Sequence, residues 1–148
     1  HVDGGDVLVT PAEELVGLSA RTDERGARAL VAALDQLGRK GRVVATPPGV
    51  LHFKTGCGLI DEETVALVPE LDDPELFGSM RRVLVAREEA AGANLLRIRD
   101  RVLLSEACPR LREQVERFGV ATTALSVAAI GKIDAGLSCM SLRWRQPG

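Results

Sequence analysis

With 148 residues, 45% of them hydrophobic and 27% charged, the chain has the length and composition of one globular domain with a substantial core. A net charge of −2, with no block of one sign and no apolar run of bilayer length, gives no basis for a nucleic-acid or membrane partner. Three cysteines, an odd number without a Cys-x-x-Cys spacing, argue against a disulfide framework or a zinc ribbon and point to the reducing cytoplasm.

In chain order, Asp6 to Thr10 is an apolar run that reads as a buried strand, Pro11 to Glu13 a turn, and Leu15 to Leu18 the return strand. Thr22 is placed to cap a helix reaching Gly38, because Ala27, Leu30, Val31, Leu34 and Leu37 share one helical face. Arg42 to Thr46 is the next strand. After the punctuation of Pro47-Pro48-Gly49, strands are expected over Leu51 to Ile60, Thr64 to Val68 and Arg82 to Ala86, with a short segment around Pro74 to Met80. A third stretch gives strands at Asn94 to Ile98 and Arg101 to Ser105, joined by a tight Arg99-Asp100 connection. Pro109 stands near the first position of a helix with Leu111, Val115 and Phe118 on one face, and Gly119 closes it before a strand over Val120 to Leu125. Ser126 is placed to cap a short helix to about Ile133, and Ser138 to Arg145 reads as a final strand.

Strand, turn, strand, helix, strand thus recurs three times at intervals of about forty residues. One helix covers only one face of so small a sheet, so neighbouring units must pack together to bury the other. Set radially, such units make an α/β propeller. A ring of units this size needs more than three, which makes the chain an arc.

Two cysteines, Cys57 and Cys108, read as small buried hydrophobes. Cys139 differs: it lies in Ile133-Asp134-Ala135-Gly136-Leu137-Ser138-Cys139-Met140-Ser141, among small and polar residues, after a glycine that lets the chain turn sharply. A free thiol is only a few per cent thiolate near neutrality, so a nucleophilic cysteine needs a base and a favourable field. His52 is the internal histidine that could supply the base. Its imidazole would need an acceptor on the second nitrogen, for which Asp3 and Asp6, flanking Gly4-Gly5, both qualify. Phosphate-loop, nucleophile-elbow and paired-histidine motifs are lacking.

Four motifs occur in order: Val2-Asp3-Gly4-Gly5-Asp6-Val7-Leu8, Gly17-Leu18-Ser19-Ala20-Arg21-Thr22, Leu51-His52-Phe53-Lys54, and Ile133 to Ser141. Together they resemble dimethylarginine dimethylaminohydrolase, of the guanidine-modifying (pentein) superfamily, and Ala93-Asn94 fits the same pattern. The resemblance implies a five-bladed propeller of ββαβ units, of which residues 1–148 hold about three in a single catalytic domain lacking its N-terminal blades. It implies Cys139 as nucleophile, His52 as acid/base and Asp3 as the carboxylate that orients it. Arg21 matches the arginine that holds the substrate α-carboxylate, and Ile133 a position whose carbonyl meets the α-amino group. The implied substrate is a methylated arginine and the product citrulline, with no cofactor and no metal. The implied partners are the missing blades, on a separate chain, or a second copy in a homodimer. An arginine deiminase shares the triad but usually carries Asp two residues after the histidine, where Lys54 stands here. A non-catalytic pentein module that binds a ligand is the reading from another class.

Overall fold

The computed structural model describes residues 1–133 and 135–142. It forms three three-stranded sheets of one design. The first contains β1 (Val7–Val9), β2 (Glu14–Leu18), helix α1 (Glu24–Gln36) and β3 (Gly41–Ala45). The second contains β4 (Cys57–Leu59), β5 (Thr64–Leu67), a short α2 (Pro74–Phe77) and β6 (Arg81–Leu84). The third contains β7 (Leu96–Ile98), β8 (Arg101–Ser105), α3 (Pro109–Arg117) and β9 (Ala121–Leu125), with a single turn of helix, α4 (Ala128–Gly131), after it.

In each sheet the first two strands are antiparallel and the second pairs in parallel with the third across the helical connection. The middle strand is therefore covered on both sides, which demands apolar side chains without alternation. β5 meets that demand: Val65, Ala66 and Leu67 are all inaccessible. α1 and α3 present apolar stripes inward, with Ala27 and Leu34 buried on one and Leu111 and Val115 on the other. Gly119, at φ +75°, takes the left-handed conformation that ends α3 at little cost. The buried side chains join into one continuous core from Leu8 and Leu15 through Phe53, Val65 and Leu67 to Val102 and Val115. Three repeats thus share one interior, as units that cannot bury both faces alone must.

Several boundaries differ from the sequence expectation. Asp23, not Thr22, caps α1, its Oδ1 accepting from Gly26 N at 2.7 Å. Both residues have the chemistry, but the Thr22 hydroxyl donates instead to the buried Asp6 carboxylate. α1 also stops at Gln36, two residues short of the expected Gly38. The stretch from Leu51 is not one strand: His52 precedes a 3₁₀ turn, Phe53–Thr55, and only Cys57–Leu59 pairs in the sheet. α4 is not capped by Ser126, since Val127 precedes it without a side-chain cap. Residues 137–140 form turns rather than the start of a strand, and the rest of that expected strand, 143–145, lies outside the described residues. No helix of the described residues is long and apolar enough to cross a membrane.

The first strands of the sheets, β1, β4 and β7, border a common groove of about 730 Å³, with Lys54 on one side and Ser138 and Ser141 on another. Neighbours of the candidate histidine and of the candidate cysteine therefore face the same space.

Candidate active site

Asp6 is the scaffold of the first half of the site. It is fully buried, and its carboxylate accepts from Ser19 Oγ and Thr22 Oγ1, each at 2.7 Å, and from Phe53 N at 2.9 Å. Burying a carboxylate is costly unless its oxygens are saturated with donors. Those three donors come from two segments remote from it in sequence, so satisfying the charge fixes three chain segments against one another. Phe53, also fully buried, anchors the third segment by stacking on Phe77 with ring centroids 6.4 Å apart.

His52 is the residue just before that anchor. Its backbone is extended, with φ −131° and ψ 154°, and its side chain is 14% exposed. The ring lies over Gly5, where a Cβ would stand only 3.0 Å from Cγ of the imidazole. A glycine in the Asp-Gly-Gly-Asp sequence thus provides the close approach of ring and backbone.

Asp3 caps the 3₁₀ turn Gly4–Asp6, its Oδ1 accepting from Gly5 N at 2.7 Å. Its own amide donates to Thr22 Oγ1 at 2.9 Å. The other oxygen, Oδ2, faces Nε2 of His52 at 3.6 Å and Nη1 of Arg21 at 3.9 Å. Of the two aspartates, Asp3 faces the imidazole and Asp6 holds the Phe53 amide. At 3.6 Å the Asp3–His52 pair lies beyond direct hydrogen-bond length, and Nε2 is buried without a partner.

Arg21 sits at the tip of a tight turn closed by Ser19 and Thr22, where its amide donates to Ser19 Oγ at 3.0 Å. Its guanidinium side chain is 65% exposed and open to a ligand.

Cys139 lies in the turn that follows α4 and is exposed. Met140 N donates to Gly136 O and Ser141 N to Ser138 O, which round the chain off at the thiol. Asn94, at the end of the 3₁₀ segment Arg87–Ala93, reaches this turn: its Oδ1 accepts from Ser138 N at 3.0 Å and its Nδ2 lies 3.7 Å from Cys139 Sγ. The motif resemblance noted Asn94 without giving it a role. Ile133, 72% exposed, follows α4, its amide donating to Ile130 O. Asp3, Arg21 and His52 therefore form one contacting cluster, while Cys139 contacts Asn94 and Ile133 contacts neither group in the hydrogen bonds formed by the described residues.

The remaining cysteines are inert by environment. Cys57 and Cys108 are buried, and burial pushes both thiols up, in Cys108 with help from the neighbouring Glu89 charge. Among the described residues no group of three His, Cys, Asp or Glu side chains converges as a metal site.

No protein-family model matches the chain. Over 143 residues, 97% of the chain, it is 33% identical to N(G),N(G)-dimethylarginine dimethylaminohydrolase from Pseudomonas aeruginosa. Over 147 residues it is 32% identical to the protein of the same name from Streptomyces coelicolor. The chain covers 56% and 55% of these two proteins, so it spans just over half the length of the curated relatives it matches. Among solved structures, a cysteine-to-serine variant of the Pseudomonas aeruginosa protein, complexed with citrulline, superimposes with a TM-score of 0.89 at 33% identity, covering 95% of this chain and 55% of that one. A histidine-to-glycine variant of dimethylarginine dimethylaminohydrolase, an adduct with S-methyl-L-thiocitrulline, gives the same values. An inosamine-phosphate amidinotransferase from Streptomyces griseus, at 20% identity, shares the fold with a TM-score of 0.83, covering 99% of this chain and 47% of that one.

Proposed function

Because the chain belongs to the guanidine-modifying, pentein-fold superfamily and is a relative of its dimethylarginine dimethylaminohydrolases, we propose that the complete protein hydrolyses N-omega-methylated arginine to citrulline and an alkylamine. One observation carries the assignment of the reacting groups. The position numbers of the histidine and the cysteine substituted in the two solved variants differ by the same amount as those of His52 and Cys139 here. A net insertion or deletion between them would have broken that equality.

In this reading the thiolate of Cys139 attacks the guanidinium carbon of the substrate. A carbon–sulfur bond forms and the bond from that carbon to the methylated nitrogen breaks, the leaving amine taking a proton from the His52 imidazolium. The enzyme is left as an S-alkylthiouronium. Neutral His52 then takes a proton from water, whose oxygen bonds to the same carbon. The thiolate departs and citrulline is released. Asp3 holds the imidazole by facing one ring nitrogen, which leaves the other for proton transfer. The 3.6 Å separation suits a pair that shortens when the ring becomes charged in the reacting complex. Arg21 takes the substrate α-carboxylate with its two-pronged guanidinium, and the Ile133 carbonyl accepts from the α-amino group. The groove bordered by β1, β4 and β7 becomes the substrate channel once further blades, supplied by the rest of the protein, complete a five-membered ring. The three unpaired thiols suit a reducing, cytoplasmic setting.

The test uses the complete protein. Cys139→Ser is expected to abolish release of citrulline from dimethylarginine while the fold persists by circular dichroism. Turnover near that of the unmodified protein would exclude Cys139 from the mechanism. Assaying arginine in parallel distinguishes the deiminase activity, which this reading expects to be absent.

A further inference from the structure

We propose that Asn94 is a positioning residue for Cys139, its carboxamide both fixing the turn that carries the thiol and donating a hydrogen bond to the sulfur in its thiolate form. The inference rests on the assignment of Cys139 as the reacting thiol, but its geometry stands independently. Asn94 is 8% exposed and lies just ahead of β7, 45 positions before Cys139. Its two polar atoms are spoken for in a way that fixes the orientation of the amide. Ser138 N is a donor, so the atom facing it at 3.0 Å must be the carbonyl oxygen. The NH₂ group is then directed to Sγ, at 3.7 Å.

Gly136 completes the arrangement. A Cβ there would lie 2.5 Å from Asn94 Nδ2 and 2.6 Å from its Cγ, closer than any side chain tolerates. The carboxamide thus occupies the volume that a side chain at position 136 would fill, and holds three residues of the turn: Gly136 by contact, Ser138 through its amide, and Cys139 through its sulfur. Sulfur accepts hydrogen bonds weakly as a thiol and strongly as a thiolate, because charge-assisted bonds are roughly twice as strong as neutral ones. A neutral donor fixed beside Sγ therefore favours the reactive form without a charge that would repel a cationic substrate.

Alkylation of Cys139 by iodoacetamide, followed as rate against pH on the complete protein, reads the thiolate directly and does not depend on turnover. Asn94→Asp keeps the acceptor for Ser138 N but sets an anion in place of the donor. The pH of half-maximal alkylation is expected to rise by a unit or more, with the thermal midpoint little changed. Asn94→Ala removes the donor without adding charge, and a smaller rise in the same direction is expected. A half-maximal pH unchanged in both variants overturns the proposal. A purely structural role predicts that Asn94→Ala leaves the half-maximal pH unchanged, because only the anion added in Asn94→Asp could then move it, and that result likewise overturns the proposal. If Cys139→Ser were instead to retain turnover, the nucleophile assignment would fall while a shifted alkylation profile still supported the Asn94–sulfur bond.

Discussion

Asp6 accepts the backbone amide of Phe53 at 2.9 Å, joining the start of β1 to a segment 47 residues later. Through that bond the position of His52, the residue before Phe53, is set by a carboxylate that never touches the imidazole. The same carboxylate holds Ser19 and Thr22, the ends of the turn that displays Arg21. One buried charge therefore indexes both candidate groups to Asp3, three residues upstream on the same 3₁₀ turn.

Removing that charge should be severe. Asp6→Ala leaves two buried donors, Thr22 Oγ1 and Phe53 N, and the part-buried Ser19 hydroxyl without an acceptor, and each unsatisfied buried group costs about 1–3 kcal/mol. A loss of about 3–5 kcal/mol is expected in urea unfolding of the purified protein, allowing for partial relaxation or entry of water. A loss below about 1 kcal/mol would mean that the three segments are held by packing alone.

Arg21 should act on binding rather than on chemistry. Its side chain lies on the exposed tip of a turn and its ion pair with Asp3 is long, at 3.9 Å. Arg21→Ala is expected to raise KM for dimethylarginine about tenfold or more, in keeping with loss of a charge-assisted contact, with kcat changed far less. A fall in kcat at constant KM would instead assign Arg21 to the reacting centre.

Thiol counting separates the three cysteines. Cys139 is exposed, whereas Cys57 and Cys108 are buried and burial pushes both thiols up. A disulfide exchange reagent should titrate one thiol in the native protein at neutral pH and three in urea, with Cys139→Ser silent in the native titration. A second fast native thiol would contradict the burial of the other two.

Glu116 on α3 supplies a pH-dependent term. The Thr122 hydroxyl, and after it the Arg112 guanidinium, hold its carboxyl below the ordinary glutamate range. Since the folded value lies below the unfolded one, the stabilisation is fully present above the unfolded value, about 4.3, and is lost as pH falls through the folded value. Glu116→Gln should therefore lower the urea midpoint at pH 7, by a difference that shrinks as pH falls below about 4.3. A difference that stays constant across that range would show that the charge contributes nothing.

How far the sequence reaches is seen in particular elements. β8, Arg101–Ser105, coincides with its apolar run, and α3 begins at the proline that marked it, because both signals are local. Leu51 to Ile60 reads as strand throughout although Phe53–Thr55 is a 3₁₀ turn, since a turn of three residues leaves no periodicity behind. Thr22 and Asp23 are equally fit to cap a helix, and the choice falls on Asp23 because Asp6, 16 residues away, takes the Thr22 hydroxyl. Asn94 carried no chemical signal of its own. Its contact with Cys139 spans 45 positions and becomes visible only when β7 and the turn after α4 are brought together.

Apolar runs, glycine and proline stops, and the order of four motifs sufficed to specify the repeated ββαβ unit and its kinship, because each depends on a residue and its near neighbours. What the buried Asp6 holds, what orients the exposed thiol, and why Gly136 admits no side chain were decided by the tertiary structure alone. Those outcomes depend on a buried carboxylate and a carboxamide finding partners tens of residues away, and distance along the chain says nothing about which donors a desolvated acceptor will meet.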